Sequence, residues 1–199
     1  MIILDYEIEF KKRTAIFDDI ANNRSKDLKH LSNLIFNTIK SGNKIMTVGN
    51  GGSAANAQHI TGDIIGRYKI ERSGFPAISL TVDPSVMTAT ANDYGYENVF
   101  ARQVEGLGNE NDLLIVLSSS AHSENIVRAA HKANEMGIQT VGVLGNTGGT
   151  IAEALDYSIN FAFKESDLVE EAAMTIFHII LIEVEQKLVK LREGDGNVN

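Results

Sequence analysis

The sequence contains no cysteine. That excludes disulfides, thiolate metal ligands and a cysteine nucleophile. Positive charge is scarce as well: 18 lysines and arginines stand against 26 aspartates and glutamates, a formal net charge of −8. This balance argues against nucleic-acid binding by phosphate attraction. Small anionic substrates are not excluded, because they need only local hydrogen-bond donors. Long hydrophobic runs are also missing. The longest nearly apolar stretch, Ile176 to Val184, is interrupted by His178 and Glu183 and is too short to span a bilayer. The first ten residues, MIILDYEIEF, mix acids with apolar residues and make a poor signal peptide. The expectation is a cytoplasmic protein with neither nucleic acid nor membrane as a partner.

What remains is the composition of an ordinary globular chain. Its 199 residues, 43% hydrophobic, suffice for one full core. Residues 1–192 are expected to form a single domain, and the polar, glycine-rich residues 193–199 a disordered tail. Two helices are expected first, Met1 to Asn22 and a second starting from Ser25 as N-cap and ending at Ser41-Gly42-Asn43. Solid apolar runs then read as strands: Ile45 to Val48, Pro76 to Thr81, Asp112 to Leu117 and Gln139 to Leu144, with a weaker one at Tyr157 to Phe161. Helical stretches separate them: Ala54 to Tyr68, Ser85 to Asn92, Asn98 to Glu105, one opening after Ser123, and Thr150 to Ala154. A long helix runs from Ser166 to about Leu191. Strands without polar alternation, alternating with helices, predict an α/β fold with a parallel sheet covered on both faces. Ligands bind such sheets at the carboxyl ends of the strands.

Two of those ends carry chemistry. Gly49-Asn50-Gly51-Gly52-Ser53 joins the first strand to a helix through a turn that only small residues make. Its backbone amides and the start of the helix form an anion-binding corner. Ser118-Ser119-Ser120-Ala121-His122-Ser123 offers four hydroxyls and another helix start, which suits a phosphate without any lysine. His59 and Asp63 stand four apart on one helix face, a spacing that serves a metal, an acid–base pair or merely a solvated surface. His178 lies within the apolar run of the last helix. Helical geometry puts Asp167 and Glu171 within about 20° of it and Glu170 about 80° away, which by itself favours Glu171 as a companion. Asn92-Asp93-Tyr94-Gly95 reads as a turn. The apolar last helix predicts an oligomer, since a monomer would leave much of it exposed.

Taken together, GNGGSAANAQH (49–59), GRY (66–68), PAISL (76–80), ANDYGYENVF (91–100), the serine loop and the histidine on the last helix resemble the sugar isomerase (SIS) domain family, and most of all its phosphoheptose isomerases. The resemblance covers nearly the whole chain. It implies a three-layer α/β/α, flavodoxin-like SIS fold with extra N-terminal helices, assembled as a homotetramer with active sites where subunits meet. It implies conversion of the sugar phosphate sedoheptulose 7-phosphate to D-glycero-D-manno-heptose 7-phosphate, with one zinc ion per subunit. By the same resemblance Asn50, Gly51, Gly52, Ser53, Asn92 and Asp93 contact the sugar, and Ser118, Ser119, Ser120 and Ser123 hold the phosphate. His59, Asp63, Glu170 and His178 form the metal site, Glu170 also touching substrate, with Asp63 as base and His178 as partner acid. Three features depart from the family pattern: Asp63 replaces a glutamate, Glu170 a glutamine, and SSSAHS stands where STSGNS is common. The resemblance leaves two alternatives in view, a non-catalytic SIS protein assisting the replication initiator and an isomerase of another phosphosugar. His178 favours the enzyme over the first.

Overall fold

The computed structural model describes residues 5–195. Ile2, Ile3 and the end of the expected tail lie outside this range. Helices α1 (Tyr6–Asn23) and α2 (Ser25–Lys40) come first. Asp5 caps α1 by accepting hydrogen bonds from the amides of Glu7 and Ile8. Ser25, expected as an N-cap, is instead the first residue of α2; Arg24 occupies the cap position without a side-chain bond.

The sheet has five parallel strands in the order β2-β1-β3-β4-β5, with β1 Ile45–Gly49, β2 Ala77–Ser79, β3 Leu113–Ser118, β4 Gln139–Leu144 and β5 Tyr157–Asn160. Between them run α3 (Gly52–Ile65), α4 (Pro84–Tyr94), α5 (Val99–Leu107), α6 (Glu124–Glu135) and α7 (Gly149–Ala154). Then α8 (Ser166–Asp195) is the last described element, extending past the Leu191 end expected for it.

Strand residues alternate between two cores, as the pleat requires. Ile45, Leu113, Ile115, Leu117, Val141 and Val143 face α1, α2, α3 and α8. Met46, Val48, Leu114, Val116 and Leu144 face α5, α6 and α7. The sheet is therefore the middle of three layers. Because both faces are apolar, the strands show no polar alternation in sequence.

The strand order reverses direction at β1, so the crevice between the carboxyl ends of β1 and β3 is the topological switch point. Gly49 pairs with Leu117 across that pair of strands. The glycine-rich turn and the serine loop therefore leave the sheet side by side. Gly49 needs its missing side chain: a Cβ there would lie 2.6 Å from the carbonyl oxygen of Ser53.

Helices α3 and α4 also differ from expectation in their bounds. Helix α3 stops at Ile65, not Tyr68, because Gly66 turns out of the helix. Helix α4 starts at Pro84 behind Asp83, which accepts from the amide of Val86, and runs on to Gly95 with φ 86°. Asn92 and Asp93 thus lie in its last turn rather than in a loop. Among the described residues no helix is long and apolar enough to cross a membrane.

Glu183 fastens α8 to α2. Its carboxylate meets Lys29, accepts from Ser32 Oγ at 2.9 Å and pairs with Lys187 Nζ at 2.8 Å. The hydrogen bonds from Lys187 and Lys29 bring its carboxyl down to about 2. A carboxyl lowered on folding contributes stability that is complete above its unfolded pKa and is lost as pH falls towards the folded one. The gap in urea midpoint between wild type and Glu183→Gln should therefore be widest near neutrality and close as the pH falls below 4 towards about 2. A gap that is constant with pH would refute this role.

Candidate active site

At the first corner, Gly51 adopts φ 56°, ψ −125°, a backbone open to glycine, and α3 begins at Gly52 with no side-chain cap. Ser53 is buried behind it. Asn50 turns towards the second corner. Its amide exchanges two hydrogen bonds with Asn125 of α6, at 2.9 and 3.0 Å, and its Oδ1 also accepts from the Tyr96 hydroxyl at 3.3 Å. Asn125 is 3% exposed. This amide pair ties the ends of β1 and β3 together. Sequence reasoning missed it, although a carboxamide two positions past the last loop serine was the available signal.

In the serine loop the four hydroxyls are not equivalent. Ser118 is buried and its Oγ accepts from the amide of Ala121 at 3.1 Å, so it shapes the loop. Ser119 is half-buried and Ser120 exposed. Ser120 and Ser123 place their hydroxyls 3.4 Å apart. Ser123 occupies the N-cap position of α6 yet makes no capping side-chain bond, so its hydroxyl is not committed to the helix. His122 faces away to the β4–α7 connection, where its Nδ1 lies 3.5 Å from the Thr150 amide. Asn92 donates to Asp93 at 2.8 Å, and both are exposed. Tyr96, just beyond them, brings that turn to Asn50.

The third element is the seam between α3 and α8. Helix α3 is held on β1 by Thr47, whose hydroxyl lies 2.9 Å from the Ala57 carbonyl and 2.8 Å from Thr61 Oγ1. His59 and Asp63 then face α8, where His178 meets them. The two Nε2 atoms are 3.4 Å apart, and Asp63 Oδ2 lies 3.7 Å from His59 Nε2 and 3.6 Å from His178 Nε2. Asp63 Oδ2 is buried without a hydrogen-bond partner. A buried acceptor left unsatisfied costs about 1–3 kcal/mol. A tetrahedral zinc site with ligand bonds of about 2.1 Å spaces its ligand atoms about 3.4 Å apart. Three potential ligand atoms at nearly that spacing, one of them orphaned, fit a divalent cation.

Glu170 is not among these three. Its carboxylate sits against Gly52, where any Cβ would overlap it, and its carbonyl accepts from Asn56 at 3.0 Å. Burial, aided by Asp167, raises its carboxyl above the ordinary range. Glu171, favoured by helical angle, is drawn off by Arg13 of α1 at 2.8 Å, and Asp167 binds the same guanidinium at 2.7 Å. Sharing a helix face with His178 did not decide the matter, because α1 supplies a cation two turns away. Tyr68 was also missed. It stacks on His178, with planes 11° apart and centroids 5.6 Å apart.

The arrangement is a hydroxyl-lined anion corner at a sheet switch point, with an acid–base or metal cluster a few turns along the adjoining helix. Comparison with known proteins gives the family of the chain. The SIS domain family model matches residues 10–145. The chain is 38% identical over 187 residues to a phosphoheptose isomerase from Geotalea daltonii, covering 94% of this chain and 97% of that one. It is 42% identical over 162 residues to one from Akkermansia muciniphila, covering 81% and 86%. The structure of a phosphoheptose isomerase from Francisella tularensis superposes with a TM-score of 0.87 at 28% identity, covering 91% of this chain and 96% of that one. The chain belongs to the SIS domain family and, within it, to the phosphoheptose isomerases.

Two outcomes follow from this geometry. Asp63→Asn should weaken binding of a divalent cation such as Co2+ by about 100-fold or more in calorimetry, since the orphaned oxygen is its anionic donor; unchanged affinity would remove the cluster as a cation site. Ala121 is fully buried with φ 61°. A left-handed alanine costs about 1 kcal/mol, so Ala121→Gly should raise the urea midpoint or leave it level despite the added chain entropy. A clear loss of stability would show that the methyl's packing outweighs the strain.

Proposed function

We propose that this chain is an aldose–ketose isomerase that interconverts sedoheptulose 7-phosphate and D-glycero-D-manno-heptose 7-phosphate, for heptose destined for a bacterial surface polymer. The carrying observation is the convergence of Asp63, His59 and His178 beside a phosphate-type corner. The reaction moves one proton between adjacent carbons. A proton leaves C1 of the ketose, the electrons form an enediolate across C1 and C2, and a proton returns to C2 while the C1 oxygen becomes the aldehyde. Asp63 takes and returns the carbon proton. His178, across the seam, gives a proton to the carbonyl oxygen and recovers one from the hydroxyl.

Phosphate is held by Ser119, Ser120 and Ser123 and by the first amides of α6, with Ser118 bracing the loop. Asn50, Gly51, Gly52, Asn92 and Asp93 contact the sugar, with Ser53 buried behind the corner and bracing it rather than touching substrate, and Glu170 lines its path at Gly52. Gly52 and His59 are about 10 Å apart along α3. An extended seven-carbon sugar phosphate separates its phosphate from C1 and C2 by nearly its whole length, which matches a remote anchor and a distant acid–base pair. Anchoring energy from the phosphate can then fix the reacting carbons.

His59, Asp63 and His178 would hold zinc, one ion per subunit. When bound, it supplies Lewis-acid polarisation of the sugar oxygens. The assembly we propose is a cytoplasmic homotetramer. It is supported by an apolar groove of about 540 Å³ along α1, α2 and α8, in which Phe17 and Ile179 are 41% and 48% exposed.

Purified protein should convert sedoheptulose 7-phosphate to the aldose in a coupled or NMR assay. His178→Ala and Asp63→Asn should each lower kcat by about 100- to 10,000-fold. Ser120→Ala and Ser123→Ala should instead act mainly on KM, by about 10-fold each. Turnover unaffected by His178→Ala, or no turnover of the heptulose beside activity on another sugar phosphate, would overturn the assignment.

A further inference from the structure

One group stands out that neither the phosphate corner nor the acid–base cluster uses: a fully buried ion pair. Glu185 of α8 and Arg72 of the loop after α3 have side chains 3% and 4% exposed. Every acceptor position of this carboxylate is engaged. Glu185 Oε1 accepts from the amide of Tyr68 at 3.0 Å and from Arg72 Nε at 2.8 Å; Oε2 accepts from the amides of Lys69 at 2.7 Å and Ile70 at 3.0 Å. Burial alone would raise its carboxyl, but the three amides and the guanidinium outweigh it and hold the carboxyl below the ordinary range.

Arg72 spends its other donors on the end of α3. Nη2 donates to the carbonyl of Asp63 at 2.9 Å, and Nη1 to those of Gly66 at 3.0 Å and Ser73 at 3.2 Å. The last four carbonyls of a helix have no partner within it. The guanidinium satisfies the one that belongs to Asp63 itself. Glu185 follows His178 by seven positions, which puts both on one face of α8, about 20° apart. The clasp therefore joins the two helices that carry the cluster.

We propose that the Glu185–Arg72 pair is a positioning device for the cluster: it fixes the backbone of Asp63 and holds the loop so that the Tyr68 ring backs the imidazole of His178. The proposal rests on the isomerase reading for its catalytic consequence, but not for its geometry. Stability alone does not explain the pair. A buried pair replaced by apolar residues of similar volume is often no less stable, whereas breaking it exposes the cost of an unpaired charge. What apolar residues could not do is hold three successive amides and a helix-end carbonyl in one register. Lys69 Nζ, 4.7 Å from the Tyr68 centroid, adds a further contact to the ring that backs His178.

The test uses Tyr68→Phe, Tyr68→Leu and Glu185→Gln, with urea unfolding, Co2+ affinity and the separation of kcat from KM measured on each. Tyr68→Phe keeps the stacked face and should stay within about twofold of wild type in all three. Tyr68→Leu and Glu185→Gln should each lose about 10- to 100-fold in Co2+ affinity and in kcat, with KM moving less than about threefold, because the phosphate anchor is elsewhere. If Glu185→Gln fails to fold, the two Tyr68 variants decide alone. A folded Tyr68→Leu protein with wild-type Co2+ affinity and kcat, or one whose loss falls on KM alone, would overturn the proposal. Should wild type bind Co2+ yet not isomerise the heptulose phosphate, the proposed reaction falls, while the Co2+ comparison still judges the clasp.

Discussion

Glu185 accepts three consecutive backbone amides and a guanidinium in a site closed to solvent, and these bonds tie the loop after α3 to α8. The helices are far apart in the chain; His59 and His178 are separated by 119 positions. Apolar packing of Ile60, Ile64, Phe177 and Leu181 brings the helices together, but packing is non-directional and tolerates sliding. Directional bonds at the helix end remove that freedom. Beyond the Gly66 cap they hold the loop that carries Tyr68, and Asp63 faces two histidines. At this seam a polar lock thus lies beside an apolar contact.

The sheet supplies the other half of the geometry. Because β1 lies between β2 and β3, the connections on its two sides diverge and open a crevice at the strand ends. Asn50 and Asn125 close its floor with a reciprocal amide pair. Charge at this corner is neutral hydroxyl and amide, which is how a chain of net charge −8 can receive an anion. Helix α3 starts at that corner and ends at the clasp, so one rigid element spans from the anion site to the cluster.

Much of this was legible in the residues. Solid apolar runs located the strands, and β4 has the bounds expected of it, with all but its exposed first residue, Gln139, buried between the two helical layers. The i,i+4 spacing of His59 and Asp63 put them on one face, and the glycine and serine turns marked the two corners. Other features depended on partners distant in sequence. Gly66 is the local signal that α3 ends at Ile65, but the course of the loop beyond it is not legible locally, since the acceptor that captures the following amides is Glu185, more than a hundred positions later. Glu171 shared a face with His178, but Arg13 of α1 claims it. Asn92-Asp93 carried turn residues, yet the capped start at Asp83-Pro84 drives α4 through them. Asn125 and Tyr68 act through contacts that no periodicity reveals.

The claim at the centre of this account is that Asp63, set between two histidines by the α3–α8 seam, moves the carbon-bound proton of a heptulose phosphate. The most direct measurement is proton NMR of sedoheptulose 7-phosphate in D2O with catalytic amounts of the protein, following the hydrogens on C1. Wild type should exchange or remove one C1 hydrogen as the aldose appears, and Asp63→Asn should leave both in place over the same interval. Exchange or removal that persists undiminished in Asp63→Asn, or the absence of both in wild type, would contradict the account.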